Sequence, residues 1–189
     1  LSFDYGLYQL FLTARAGGTA ILERAFVYPS AVLKLIDEHR VTGLPIVPMM
    51  AALLLRQDLS AHDLSSLRFI SNTGAVLTPT HVAALRERLP HVKIFKMYGL
   101  TECKRVSYLD PAEIDRRPDS VGKPMDNVEV YLVDENGQRR DTGLGELVVR
   151  GSNVMSGYWG APEATDQVLK PGPYPGERVL HTGDIFRID

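Results

Sequence analysis

The chain has 189 residues, 44% of them hydrophobic, with 21 Lys and Arg against 23 Asp and Glu and a formal charge of -2. That apolar content supports a buried core and excludes a disordered tail, and no fixed-period repeat or low-complexity tract interrupts it. Cys103 is the one cysteine, which excludes an intrachain disulfide framework and a cysteine-rich zinc site and fits a reducing, cytoplasmic compartment.

Gly17-Gly18 precedes a β-prone run at 19–22, which predicts a first strand. Pro29-Ser30 then opens a helix in which Val32, Leu33, Leu35 and Ile36 recur at helical spacing. Thr42-Gly43 ends it, residues 44–47 read as a second strand, and Pro48 stands where a helix over 49–56 begins. Residues 68–71 form a third predicted strand. Thr78-Pro79 starts a helix with Val82, Leu85 and Leu89 on one face, and 92–97 is a fourth strand. Alternating strands and helices predict an α/β subdomain over 1–112, a mainly parallel sheet with covering helices.

After Arg105 the pattern changes. Residues 128–133 and 146–150 alternate as strands around an Asn136-Gly137 turn signal, and only 162–168 reads as a short helix. A smaller antiparallel, barrel-like β subdomain is therefore expected over 113–189, with the boundary in the polar, proline-bracketed run from Asp110 to Pro118. Charge divides in the same way, with 12 basic and 8 acidic residues up to Arg105, then 9 and 15. The basic residues are scattered without aromatic interleaving, so no nucleic-acid partner is expected. The longest apolar run, 46–55, contains Pro48 and falls short of the roughly 20 residues of a membrane span. The start at Leu1, without Met or a leader pattern, predicts a piece from the middle of a longer product.

Two loops leave predicted strands at the carboxyl edge of the α/β half, where open sheets bind ligands. One is Asn72-Thr73-Gly74-Ala75; the other is Tyr98-Gly99-Leu100-Thr101-Glu102. The second combines an aromatic ring, a glycine that admits close approach, a hydroxyl donor and a carboxylate, a set suited to a base, a phosphate and a magnesium ion. Asp184 in His181-Thr182-Gly183-Asp184 suits the paired hydroxyls of a ribose. His39, His62, His81, His91 and His181 show no i,i+4 pairing, and no Gly-x-Ser-x-Gly elbow occurs. Hydrolase triads and zinc-protease sites thus lack support. Cys103 beside Lys104 and Arg105 reads as an inert thiol despite its cationic neighbours.

Tyr98-Gly99-Leu100-Thr101-Glu102, Gly145-Glu146-Leu147 with Gly151, Gly157-Tyr158-Trp159 and Thr182-Gly183-Asp184, in that order, resemble the adenylate-forming superfamily of acyl-CoA ligases, peptide-synthetase adenylation domains and luciferases. The resemblance implies formation of an acyl-AMP from a carboxylic acid and ATP, assisted by Mg²⁺, followed by transfer to the thiol of CoA or of a carrier protein's phosphopantetheine. It implies that Tyr98 stacks on adenine with Gly99 beside it, Thr101 bonds the α-phosphate, Glu102 holds the metal and Asp184 binds the ribose. Gly74 and Ala75 match the loop lining the adenine and acyl pocket, with Asn72 and Asp4 on the substrate side. The stretch from Gly145 to Trp159 is read as structural, with Tyr158 and Trp159 packed in the core.

The family's phosphate loop ending in lysine, its hinge and its lysine-bearing C-terminal domain have no counterpart here, so this stretch alone is not expected to turn over. Phe3-Asp4 resembles amino-acid-activating members, in which the Asp pairs a substrate ammonium. Leu100 and the following Cys103-Lys104-Arg105 look more like acyl-CoA ligases, and that reading is preferred. The alternatives are an amino-acid-adenylating ligase and a non-catalytic nucleotide-binding module. Apolar helix faces at the abrupt start suggest self-association.

Overall fold

The structure is a computed structural model that describes residues 4–189, so Phe3 of the Phe3-Asp4 pair lies outside the described residues. The chain divides into two compact units, one of residues 1–98 and 108–122, the other of 99–107 and 123–189. The run from Asp110 to Pro118 lies within residues 108–122 of the first unit. No described helix is long and apolar enough to cross a membrane.

In the first unit α1 (Asp4–Arg15) and α2 (Pro29–His39) precede β1 (Gly43–Ile46), α3 (Pro48–Leu54), β2 (Phe69–Asn72), α4 (Pro79–Arg88) and β3 (Lys93–Leu100). Helices α2, α3 and α4 all begin on proline, whose fixed φ suits the first helical turn and whose missing N–H would have no intrahelical partner there. Thr78 caps α4 by accepting the His81 amide at 3.3 Å. Strands β1, β2 and β3 pair in parallel, Ile46 opposite Asn72 and Asn72 opposite Lys96. In β2 Ile70, Ser71 and Asn72 are buried in succession instead of alternating, as is common in parallel sheets. Ile36, Ile46, Leu54, Leu67, Ile70 and Leu85 lie in one core. Lys96 on β3 is 2% exposed and donates its ammonium to the Pro118 carbonyl. Burial pushes its pKa down, opposed by the charge of Asp119.

One expectation fails here, and one element appears where none was expected. Residues 19–22 form no strand: they are exposed, and among the described residues no neighbouring strand supplies hydrogen bonds. Residues 4–15 form helix α1, which buries none of its residues and exposes Leu7, Phe11 and Leu12.

Strands β3 and β4 (Lys104–Leu109) each contribute residues to both units, and with β5 (Lys123–Pro124) they complete a sheet ordered β1-β2-β3-β4-β5. The second unit adds β6 (Val128–Val133), β7 (Arg139–Arg140), β8 (Gly143–Gly151), α5 (Pro162–Val168), β9 (Leu169–Pro171) and β10 (Arg178–Ile188). Their sheet runs β7-β6-β8-β10-β9 with antiparallel pairs throughout. The β6–β7 turn is pinned by Asp134, whose Oδ1 accepts the amides of Asn136 and Gln138, each at 2.9 Å. Leu132, Leu147, Val148, Val149, Leu169 and Leu180 are buried in this unit. Arg150 joins β8 to Glu129 at 2.5 Å and to Glu177 at 2.6 Å. The α/β class with a smaller antiparallel part is therefore the observed one.

Candidate functional site

The first unit brings the start of α1 against the end of β2. The Tyr5 hydroxyl donates to the Ser71 carbonyl at 2.8 Å and lies 2.7 Å from Ser71 Oγ. Asp4, one residue earlier, has Oδ1 buried with no hydrogen-bond partner. A carboxylate oxygen shut off from water and unpaired is costly, and a cationic or hydrogen-bonding ligand would relieve that cost. Asn72 closes β2 and is 1% exposed, its amide reaching the Thr73 carbonyl only at 3.5 Å, the limit of a hydrogen bond. Gly74 and Ala75 follow in the loop between β2 and α4, at the carboxyl edge where parallel sheets bind ligands. Tyr98 lies half-buried near the same end of β3.

A hollow of about 450 Å³ in this unit is lined by Asp58, Ser60, His62, Arg88 and His91. It lies by the residues that lead into β2 and β3, the opposite end of those strands from the loops above. The Arg88 guanidinium is already spent on the carbonyls of Leu55 and Gln57, at 2.7 and 2.6 Å.

In the second unit β3 and β4 are joined by the three-residue turn Thr101-Glu102-Cys103, closed by the Cys103 amide on the Leu100 carbonyl at 3.2 Å. Gly99 makes this turn possible. A Cβ there would sit 1.5 Å from the Lys104 carbonyl oxygen, so the missing side chain serves the chain's own close approach. Thr101 is exposed and Cys103 is fully buried, consistent with an inert thiol. The Glu102 carboxylate accepts the Tyr158 hydroxyl on Oε1 at 2.6 Å. That bond raises the Tyr158 pKa, with desolvation second. Tyr158 is 36% exposed and Trp159 wholly exposed. The core packing expected of these two aromatics is not what the fold uses them for.

Asp184 stands on a β-bulge. The pairing of β10 with β8 shifts register between His181 and Ile185, and Gly183 takes a φ of 73°, in the left-handed region. Glu146 on β8 holds the bulge from both oxygens: Oε1 accepts the Gly183 amide at 3.0 Å, and Oε2 accepts His181 Nδ1 at 3.1 Å. The Thr182 hydroxyl donates to the Leu147 carbonyl at 2.8 Å and accepts the Asp184 amide at 3.1 Å. The carboxylate of Asp184 is thereby re-aimed relative to a regular strand position. Residue type alone marks Glu146 and Tyr158 only as parts of structural motifs; the bonds that give them work span 37 and 56 residues of sequence.

Among the described residues no three His, Cys, Asp or Glu gather into a metal cluster. Magnesium needs no such cage, since it commonly takes one or two carboxylates and completes its shell with phosphate oxygens and water. Glu102, with Oε2 not engaged by Tyr158, fits that kind of site.

The sequence profile described as AMP-binding enzyme matches residues 1–159. The chain is 37% identical over 185 residues to feruloyl-CoA synthase of an Amycolatopsis species, covering 94% of this chain and 35% of that protein. It is 31% identical over 189 residues to bacitracin synthase 3 of Bacillus licheniformis, covering 98% of this chain and 3% of that protein. The crystal structure of VinN superposes with a TM-score of 0.84 at 36% identity, covering all of this chain and 46% of that one. The chain thus spans less than half of each of these relatives. A profile match over most of its length, together with these relatives, shows that the chain belongs to the AMP-binding enzyme family of adenylate-forming ligases.

Proposed function

We propose that the protein carrying this chain is an AMP-forming acid–thiol ligase that activates a carboxylic acid with ATP and passes the acyl group to CoA. The observation that carries the reading is the turn after β3, where an exposed Thr101 hydroxyl adjoins a Glu102 carboxylate with one oxygen tied by Tyr158. In the first step a carboxylate oxygen of the acid attacks the α-phosphorus of ATP, the bond between the α-phosphorus and the bridging oxygen breaks, and pyrophosphate leaves. In the second, the thiolate attacks the acyl carbonyl and AMP leaves. The chain's task is positioning and charge stabilisation. Thr101 donates to the α-phosphate, Tyr98 stacks on the adenine with Gly99 beside it, and Asp184 accepts the ribose hydroxyls. Gly74 and Ala75 offer backbone along the adenine and acyl groups, and Asn72 lies on the acyl side. A magnesium ion held by Glu102 would neutralise phosphate charge.

The preference for CoA rests on the likeness to feruloyl-CoA synthase and on Leu100 in the turn motif. A second reading, an amino acid loaded onto a carrier protein, is favoured by one observation. The buried, unpartnered Oδ1 of Asp4 is what a substrate ammonium would satisfy. ATP–pyrophosphate exchange by the full-length protein, across aryl, fatty and amino acids, separates the two. Exchange with a non-amino acid and a CoA thioester product support the first reading. Exchange with amino acids alone establishes the second, and none with any acid contradicts both.

A further inference from the structure

The segment Gly151 to Tyr158 touches the Thr101-Glu102-Cys103 turn at three successive points. Asn153 Nδ2 donates to the Cys103 carbonyl at 2.8 Å, the Met155 amide donates to the Glu102 carbonyl at 2.7 Å, and the Tyr158 hydroxyl donates to Glu102 Oε1 at 2.6 Å. The first two fix the backbone of the turn. The third acts on the carboxylate itself.

We propose that Tyr158 is a positioning residue for Glu102, tying one carboxylate oxygen so that the other is presented to a divalent cation on the nucleotide phosphates. This rests on the reading of Glu102 as the metal-holding residue. Three features support it.

Tyr158 is itself held. Its amide donates to Thr165 Oγ1 at 2.9 Å, and that hydroxyl donates to the Ala161 carbonyl at 2.9 Å. Thr165 is 6% exposed, so the chain of bonds starts from a buried point on α5 and ends on Glu102. A glutamate has three side-chain torsions, and without such a partner its carboxylate would sample several rotamers.

The donor is also neutral. An arginine or lysine at this place would orient the carboxylate and cancel its charge, competing with the cation. A phenol orients it and leaves the charge in place.

Packing does not account for the residue. Tyr158 is 36% exposed, and its neighbour Trp159 faces solvent entirely.

The test uses the full-length protein, Mn²⁺ as a paramagnetic probe and ATP without acid. Electron paramagnetic resonance gives the Mn²⁺ dissociation constant of the ternary complex, calorimetry gives the metal-free AMP affinity, and thermal melting reports the fold. For Tyr158→Phe the Mn²⁺ constant should rise about five- to tenfold, the loss of one charge-assisted hydrogen bond. AMP affinity should stay within about twofold and the melting temperature within about 2 °C. Glu102→Gln should weaken Mn²⁺ at least as much, and the double variant should add little, because the two act as one unit. Unchanged Mn²⁺ affinity in Tyr158→Phe, with Glu102→Gln impaired, overturns the positioning role alone. A parallel fall of Mn²⁺ affinity, AMP affinity and melting temperature in Tyr158→Phe makes the residue structural and overturns it too. No effect of Glu102→Gln removes Glu102 from the metal, and the proposal falls with it.

Discussion

Glu146 accepts the Gly183 amide at 3.0 Å and so fixes the bulge on which Asp184 stands, although 37 residues separate the two in sequence. Its other oxygen takes His181 Nδ1, leaving the bulge held on both sides of Thr182. A carboxylate that binds ribose through two hydroxyls depends on direction, and a bulge is a device for setting it.

Glu146→Ala should therefore weaken AMP binding about tenfold, the scale of losing a hydrogen bond to a charged group. Calorimetry on the full-length protein checks this. An affinity equal to wild type would mean that the bulge keeps its shape without Glu146.

Gly99→Ala should destabilise the fold by about 3 kcal/mol or more, because its Cβ would overlap the Lys104 carbonyl oxygen at 1.5 Å and backbone must move to admit it. Denaturant titration reads the loss directly. A variant as stable as wild type would show that the β3–β4 turn can open without cost.

Thr165→Val keeps the shape of a buried side chain and removes its hydroxyl, leaving the Tyr158 amide without its acceptor. A cost of about 1–3 kcal/mol is expected. Denaturant midpoints of the two proteins at equal slope measure it, and no difference would mean that the Tyr158 amide finds another partner.

Asp63 has its pKa held down to about 2, first by the Ser65 hydroxyl, then by the Ser65 amide and by Arg40. A carboxyl with a depressed folded value stabilises the fold above its unfolded value, about 3.9, and loses that contribution as pH falls towards the folded value. Wild type should thus exceed Asp63→Asn in stability above about pH 4, and the difference should shrink as the pH approaches about 2. Denaturant titrations of both proteins across that range test the sign, and a gap independent of pH would contradict it.

Helices α2, α3 and α4 were legible because each opens on proline and carries apolar residues at helical spacing, and their intervening strands followed from the alternation. In the second unit the alternation of Val128–Val133 and the Asn136-Gly137 turn were equally plain. Helix α1 was overlooked although Leu7, Leu10 and Phe11 recur at helical spacing. Strand β10 was hidden for a physical reason. Thr182-Gly183-Asp184 has the composition of a turn, and only pairing with β8 turns it into a bulge within one long strand. The same holds at the candidate site. Local residue types drew attention to Thr101, Glu102 and Asp184, whereas Tyr158 and Glu146 act through bonds to residues remote in sequence.

The most direct test of adenylate recognition by this chain is calorimetric titration of the full-length protein with AMP and with a non-hydrolysable acyl-AMP analogue, each repeated with Asp184→Ala and Thr101→Ala. The account predicts that both ligands bind wild type, that Asp184→Ala weakens each at least about tenfold, and that Thr101→Ala weakens them through the lost phosphate contact. Binding that is unchanged in both variants would contradict the assigned roles, and an absence of binding to wild type would contradict the adenylate site itself.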